Sequence, residues 1–74
     1  MMDELIRKLN DIPNSYYGFV MGIVNYAKQK PERLGKVLGF INDSKNITTS
    51  DVIKFVMDQS DFHESGLGLK EMVG

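Results

Sequence analysis

The segment from Tyr16 to Ala27 is apolar around almost its whole circumference when it is drawn as a helix. It lies between Pro13 and Pro31, and each proline disfavours helical geometry in the residue before it. The segment lacks the two-residue alternation of a half-buried strand and is longer than a typical strand. A helix that is apolar on most sides is either central in its bundle or faces a second chain, so this segment is predicted to be the central helix of a small bundle or a helix that faces a second chain.

Three other segments carry the three- and four-residue spacing of apolar side chains that is typical of amphipathic helices. Residues 60–74 contain three glycines and no firm periodicity, so they are predicted to form an irregular or short helical arm, which could be mobile. The fold class is therefore all-α, a single domain of residues 1–74 built as a bundle of four helices. The predicted helices span about residues 3–10, 15–28, 32–42 and 48–59.

Two helix starts carry side chains that are suited to capping. Thr48 followed three residues later by Asp51 has the spacing of a capping box. Asn14 or Ser15 is expected to cap the central helix. An apolar fraction of 42% is sufficient for one core. The side chains predicted to form that core are Leu5, Leu9, Phe19, Ile23, Leu34, Leu38, Ile41, Val52, Phe55 and Val56.

The composition excludes several classes of protein. There is no cysteine, so disulfides and cysteine-based zinc sites are ruled out, and a reducing compartment is favoured. The acidic start, with Asp3 and Glu4, does not resemble a signal peptide. The longest apolar stretch is shorter than the roughly 20 residues that a membrane span needs. These features predict a cytoplasmic protein with no membrane association, and the net charge of -1 gives no general attraction to nucleic acid.

Signals for catalysis and for metal or cofactor binding are weak. His63 is the only histidine, and its acidic neighbours Asp61 and Glu64 would not face it along a regular helix. It is therefore predicted to be a surface histidine rather than a metal ligand. The Gly66–Gly68 stretch does not complete a dinucleotide-binding fingerprint. The chain is predicted not to be an enzyme, with no cofactor, no metal and no evident small-molecule substrate.

Pairs of glycines recur at a four-residue spacing in two of the predicted helices. Gly18 and Gly22 lie in the central helix, and Gly35 and Gly39 lie in the next one. Each glycine costs a helix about 1 kcal/mol relative to alanine, so some compensation is expected. Close packing of helices within the chain would supply it, and so would close contact with another chain.

The central helix carries more large apolar side chains than one small core can take. Tyr16, Tyr17, Met21 and Tyr26 cannot all point inward, although tyrosines could also lie at the core edge with hydrated hydroxyls. Tyrosine and methionine are enriched in protein interfaces. These four residues are the predicted interaction surface of a protein–protein interaction module, which could act as a homodimer.

A helix-turn-helix DNA-binding regulator is the alternative interpretation. Helices 32–42 and 48–59 follow each other across a polar turn, and recognition helices present their N-terminal residues to base edges. The turn is longer than usual and lacks glycine, and the net charge is slightly negative, which speaks against this function. Its candidate contacts with nucleic acid are Arg33, Lys36, Lys45, Thr49, Ser50 and Lys54.

Overall fold

A computed structural model describes residues 1–73, and Gly74 lies outside them. The helices in chain order are α1 (Met2–Asn10), α2 (Tyr17–Ala27), α3 (Pro31–Asp43), α4 (Thr49–Met57) and α5 (Leu69–Val73), with a 3-10 turn at Phe62–Ser65. The all-α bundle expected from the sequence is confirmed, and the bounds of its four longer helices differ from the predicted ones by at most two residues. Of the two forms predicted for the C-terminal arm, the short helix is the one observed.

Helix α2 is the centre of the bundle, because it packs against α1, α3, α4 and α5. Seven predicted core side chains are buried: Leu5, Leu9, Phe19, Ile23, Leu38, Val52 and Val56. The other three, Leu34, Ile41 and Phe55, are only partly buried and pack at the edge of the core. The α2 helix also buries residues that the sequence pattern did not assign to the core, namely Val20, Val24, Tyr26 and Ala27.

The two predicted caps have different outcomes. The capping box of α4 is confirmed: the Asp51 N–H donates to Thr48 Oγ1 at 3.1 Å, and the Thr48 N–H donates to Asp51 Oδ2 at 2.9 Å. The predicted cap of α2 is wrong, because Tyr16 is its N-cap and no side chain accepts a hydrogen bond there. Asn14 has a φ of 65°, in the left-handed region, so it turns the chain and the helix begins after Tyr16.

The lengths of the helices bear on membrane insertion. The longest, α3, has 13 residues, whereas a bilayer span needs about 20. Within residues 1–73, no helix has the length and apolar character needed to cross a membrane.

Candidate functional site

Two neighbouring tyrosines are exposed where α2 begins. Tyr17 is 79% exposed and Tyr16 is 42% exposed. The Tyr16 ring rests beside the Phe19 ring, with centroids 5.9 Å apart, whereas Tyr17 projects from the first turn of the helix. Met21 follows Tyr17 by four residues, so it shares the same helix face, and it is partly buried. Tyr16, Tyr17 and Met21 together are termed the tyrosine surface.

Tyr26 does not belong to that surface. It is only 1% exposed, and its hydroxyl donates to Asp61 Oδ1 at 2.8 Å. The Arg33 guanidinium lies 4.6 Å from the centre of the Tyr26 ring. The prediction that Tyr26 forms part of an exposed surface is therefore wrong, because the C-terminal segment covers the ring and provides the acceptor for its hydroxyl.

A buried arginine joins Tyr26 to two other polar side chains. Arg33 is 1% exposed; its Nε donates to Asp61 Oδ2 at 2.8 Å and its Nη1 donates to Gln29 Oε1 at 2.7 Å. Gln29 in turn donates from Nε2 to the carbonyl oxygen of Ser65 at 3.1 Å. These side chains, Tyr26, Gln29, Arg33 and Asp61, are termed the Arg33 network. The network ties the junction of α2 and α3 to the 3-10 turn.

The pKa values of Tyr26 and Asp61, two groups of the Arg33 network, both lie far from neutral pH. Burial and the Asp61 carboxylate raise the pKa of Tyr26 to about 12. The hydrogen bond from Tyr26, followed by the hydrogen bond and the positive charge of Arg33, lowers the pKa of Asp61 below its usual value. At neutral pH, Tyr26 therefore stays protonated and Asp61 stays ionised. The hydrogen-bonded pair therefore suits a structural role, because a side chain transfers protons best when its pKa is near the operating pH.

The six candidate contacts with nucleic acid are not equally accessible. Arg33 is buried and bound to Asp61, so its assignment as a phosphate contact is wrong. The Nζ of Lys54 lies 2.9 Å from Asp58 Oδ2 in an exposed ion pair. The other candidates are the exposed Lys36, Lys45 and Ser50 and the partly buried Thr49. The DNA-binding alternative predicted three basic contacts outside α4, and of these only Lys36 and Lys45 are accessible.

Helix α5 rests directly on the backbone of α2 at Gly22. A Cβ atom on Gly22 would collide with the carbonyl oxygen of Glu71 and lie 3.0 Å from the Cα of Met72. Met72 itself is fully buried. Gly22 and the surrounding α2 surface that receives Met72 are termed the Gly22 notch. Close packing within the chain thus accounts for this glycine.

The glycines of α3 have a different environment. A Cβ atom added to Gly35 or Gly39 would meet no atom within 4 Å. Close packing inside the chain therefore does not compensate for this pair, because their side of α3 is open. Of the two explanations for the paired glycines, close contact with another chain stays a prediction for Gly35 and Gly39.

Two open grooves flank the turn between α3 and α4, and Ile47 lines both. One, of about 620 Å³, has Arg7 and Lys8 on its wall. The other, of about 460 Å³, contains the stacked rings of Phe40 and Phe55, whose centroids are 4.2 Å apart. Both grooves are lined by aspartates as well as basic residues, so the charge of the grooves does not indicate whether a ligand would be a cation or an anion.

His63 lies on the surface, as predicted. Its side chain is 78% exposed, and its Nε2 is 3.9 Å from Glu64 Oε2. Among residues 1–73, no three His, Asp or Glu side chains are grouped so that they could hold a metal ion.

Sequence reasoning missed both the Arg33 network and the role of Met72. A signal for the first was present, since Arg33 precedes Val37 by four residues within the predicted third helix and therefore shares a face with its apolar side chains. Arg33 thus falls on the buried face of α3. No comparable signal marked Met72, because the arm lacks a clear period.

Comparison with protein-family models, with curated proteins and with solved structures found no match. The function is therefore argued from the surfaces of this chain, among which the tyrosine surface and the Gly22 notch have the most specific geometry.

Proposed function

We infer that this chain is a non-enzymatic protein–protein interaction module that associates through the tyrosine surface. The observation that carries the proposal is the exposure of Tyr17, at 79%, on the helix that otherwise forms the centre of the core. Full burial of a large apolar side chain contributes roughly 2 kcal/mol of stabilising free energy. Tyr17 gains little of it in a single chain, because its ring is exposed. A partner that covers the ring would recover that contribution.

The tyrosine surface has the features of an interface anchor. Tyrosine supplies a large contact area with only two rotatable side-chain angles, so little conformational entropy is lost on binding. Packing of Tyr16 against Phe19 further limits the motion of one ring. Aromatic anchors of this kind often carry most of the binding free energy of an interface. A homodimer is the simplest form, since two-fold symmetry brings the same surface of each copy together.

The test is the solution mass, measured by light scattering from micromolar to millimolar concentration. We expect the wild-type mass to rise from one chain towards two. Tyr17→Ser removes the ring and should weaken self-association, whereas Tyr17→Phe keeps the ring and should preserve most of it. Lys36→Ser, at an exposed position of α3, controls for surface substitution in general.

Two results would count against the proposal. A mass that stays at one chain up to millimolar concentration contradicts self-association. If crosslinking in the source cell then recovers the same proteins with wild type and with Tyr17→Ser, the tyrosine surface is not the contact site.

A further inference from the structure

Helix α5 is attached to the bundle by packing alone, and Met72 is its one buried side chain. Met72 is fully buried in the core. The hydrogen bonds of α5 stay within residues 68–73: the Gly68 N–H donates to Glu71 Oε1 at 2.7 Å, and the Met72 N–H donates to the Gly68 carbonyl at 3.2 Å. Within residues 1–73, no hydrogen bond or ion pair joins residues 68–73 to the rest of the bundle.

The segment before α5 is held differently, by polar contacts. The Arg33 network ties the 3-10 turn to the junction of α2 and α3, and the carbonyl oxygen of Ser65, the last residue of that turn, accepts a hydrogen bond from Gln29 at 3.1 Å. Met72 takes part in none of these hydrogen bonds, so they persist when α5 leaves the bundle. Release of α5 is therefore a local opening that ends at Ser65.

Oxidation would change the character of the Met72 side chain. The thioether of methionine is apolar, whereas its sulfoxide is polar. Helix α2, against which α5 chiefly packs, has no charged residue. A sulfoxide that stayed in the core would give up its hydrogen bonds to water, and the added oxygen atom would crowd a closely packed interior. Oxidised Met72 is therefore more stable in water than in the core.

We propose that Met72 is a redox switch: a peroxide oxidises its Sδ to the sulfoxide, which releases α5 from α2, and reduction lets α5 dock again. Hydrogen peroxide transfers one oxygen atom to the sulfur. An S–O bond forms, the O–O bond breaks, the thioether loses two electrons, and the peroxide leaves as water. Because Met72 is fully buried while α5 is docked, its sulfur is oxidised when α5 is open.

Release of α5 changes the surface that α2 presents to water. Gly22 and the apolar side chains around it are uncovered, directly after Met21 of the tyrosine surface in the chain. The oxidised protein therefore exposes a larger apolar surface than the reduced one. This switch acts on α5 and does not depend on the partner proposed for the tyrosine surface.

The test compares wild type with Met72→Leu before and after treatment with hydrogen peroxide. Leucine is apolar and of similar size but has no sulfur, so it keeps the anchor and removes the switch. The other four of the five methionines are present in both proteins. Mass spectrometry measures the sulfoxide at Met72, and tryptic cleavage after Lys70 measures the open state of α5.

Peroxide should speed cleavage after Lys70 by at least about tenfold in wild type, because a buried anchor is lost and cleavage follows the open population. The Met72→Leu rate should stay nearly unchanged. Methionine sulfoxide reductase should restore slow cleavage in oxidised wild type. Met72→Gln, which places a polar side chain at the same position, should be cleaved quickly after Lys70 without peroxide, while cleavage within α1 stays slow.

Three results would overturn the switch. If Met72 stays reduced when the partly buried Met21 and Met57 have been oxidised, α5 does not open far enough. If Met72 is oxidised and cleavage after Lys70 stays slow, the sulfoxide remains docked. Equal acceleration in wild type and Met72→Leu, or equal acceleration of cleavage within α1, would assign the effect to another methionine or to general unfolding.

Discussion

The Nε of Arg33 donates to Oδ2 of Asp61 at 2.8 Å, and this contact joins a fully buried cation to a carboxylate that still reaches water. The Arg33 side chain is 2% exposed, whereas that of Asp61 is 31% exposed. A buried charge whose partner is removed destabilises a protein strongly, while an exposed charge can be hydrated instead. The two partners are therefore not equivalent, and substitutions on the two sides should differ in their effects.

Asp61→Asn is predicted to destabilise the protein more than Arg33→Met does. The first change leaves a buried guanidinium without a counter-charge. The second replaces the arginine with a shorter apolar side chain and leaves a carboxylate that water can reach. Urea unfolding should show a loss of about 3–5 kcal/mol for Asp61→Asn, which leaves a buried charge unpaired, and a clearly smaller loss for Arg33→Met. The double variant should recover most of the loss, and equal losses in the two single variants would contradict this asymmetry.

Tyr26 is predicted to make stability fall at high pH. Its pKa is raised from 10.0 to about 12 in the folded chain, so the folded state holds the phenolic proton more tightly than the unfolded state. The resulting stabilisation is fully present below pH 10 and is lost as the pH rises towards 12. Phenolate absorbance should show one tyrosine that titrates near pH 12, and Tyr26→Phe should abolish that step. A step that persists in Tyr26→Phe would assign it to another tyrosine.

Local patterns in the sequence were sufficient for most of the fold. The capping box of Thr48 and Asp51 could be predicted because its partners are three residues apart and their hydrogen bonds depend on little else. The start of α2 could not be predicted as well, because an asparagine before a helix can either cap the helix or adopt a left-handed turn. Asn14 adopts the turn.

The contacts within the Arg33 network lie between distant parts of the chain. Arg33 and Asp61 are 28 residues apart, and Tyr26 and Asp61 are 35 apart. Periodicity identifies which face of a helix is buried, but it does not identify which polar group will meet that face. The predicted exposure of Tyr26 is wrong because the acceptor of its hydroxyl belongs to a segment whose path the sequence pattern does not define. The same reason applies to Met72 and the Gly22 notch.

Thr48→Ala is predicted to lower the free energy of unfolding by about 1 kcal/mol, because it removes a side chain that caps α4. The Asp51 N–H would then have to find its hydrogen-bond partner in water. Ser50→Ala, at an exposed position in the first turn of the same helix, is the matched control and should change stability much less. Chemical denaturation of both variants measures the difference. Losses of similar size would show that the capping box contributes little.

Two glycine-to-alanine substitutions are predicted to have opposite effects. Gly35→Ala adds a methyl group where no atom lies within 4 Å, and it should stabilise α3 by up to about 1 kcal/mol. Gly22→Ala also favours its helix, but the methyl group would collide with the Glu71 carbonyl oxygen. Loss of the buried Met72 anchor should outweigh the gain in helix propensity, with a net loss of about 2 kcal/mol.

The cleavage rate after Lys70 distinguishes this local effect from general unfolding. Trypsin needs an extended, accessible chain, and α5 is exposed at Lys70 but helical while it is docked. Gly22→Ala should therefore speed cleavage after Lys70 more than cleavage within α1, and Gly35→Ala should leave the Lys70 rate close to that of wild type. If Gly22→Ala leaves the Lys70 rate unchanged, α5 does not depend on the backbone contact at Gly22, because it would have remained docked despite the added methyl group.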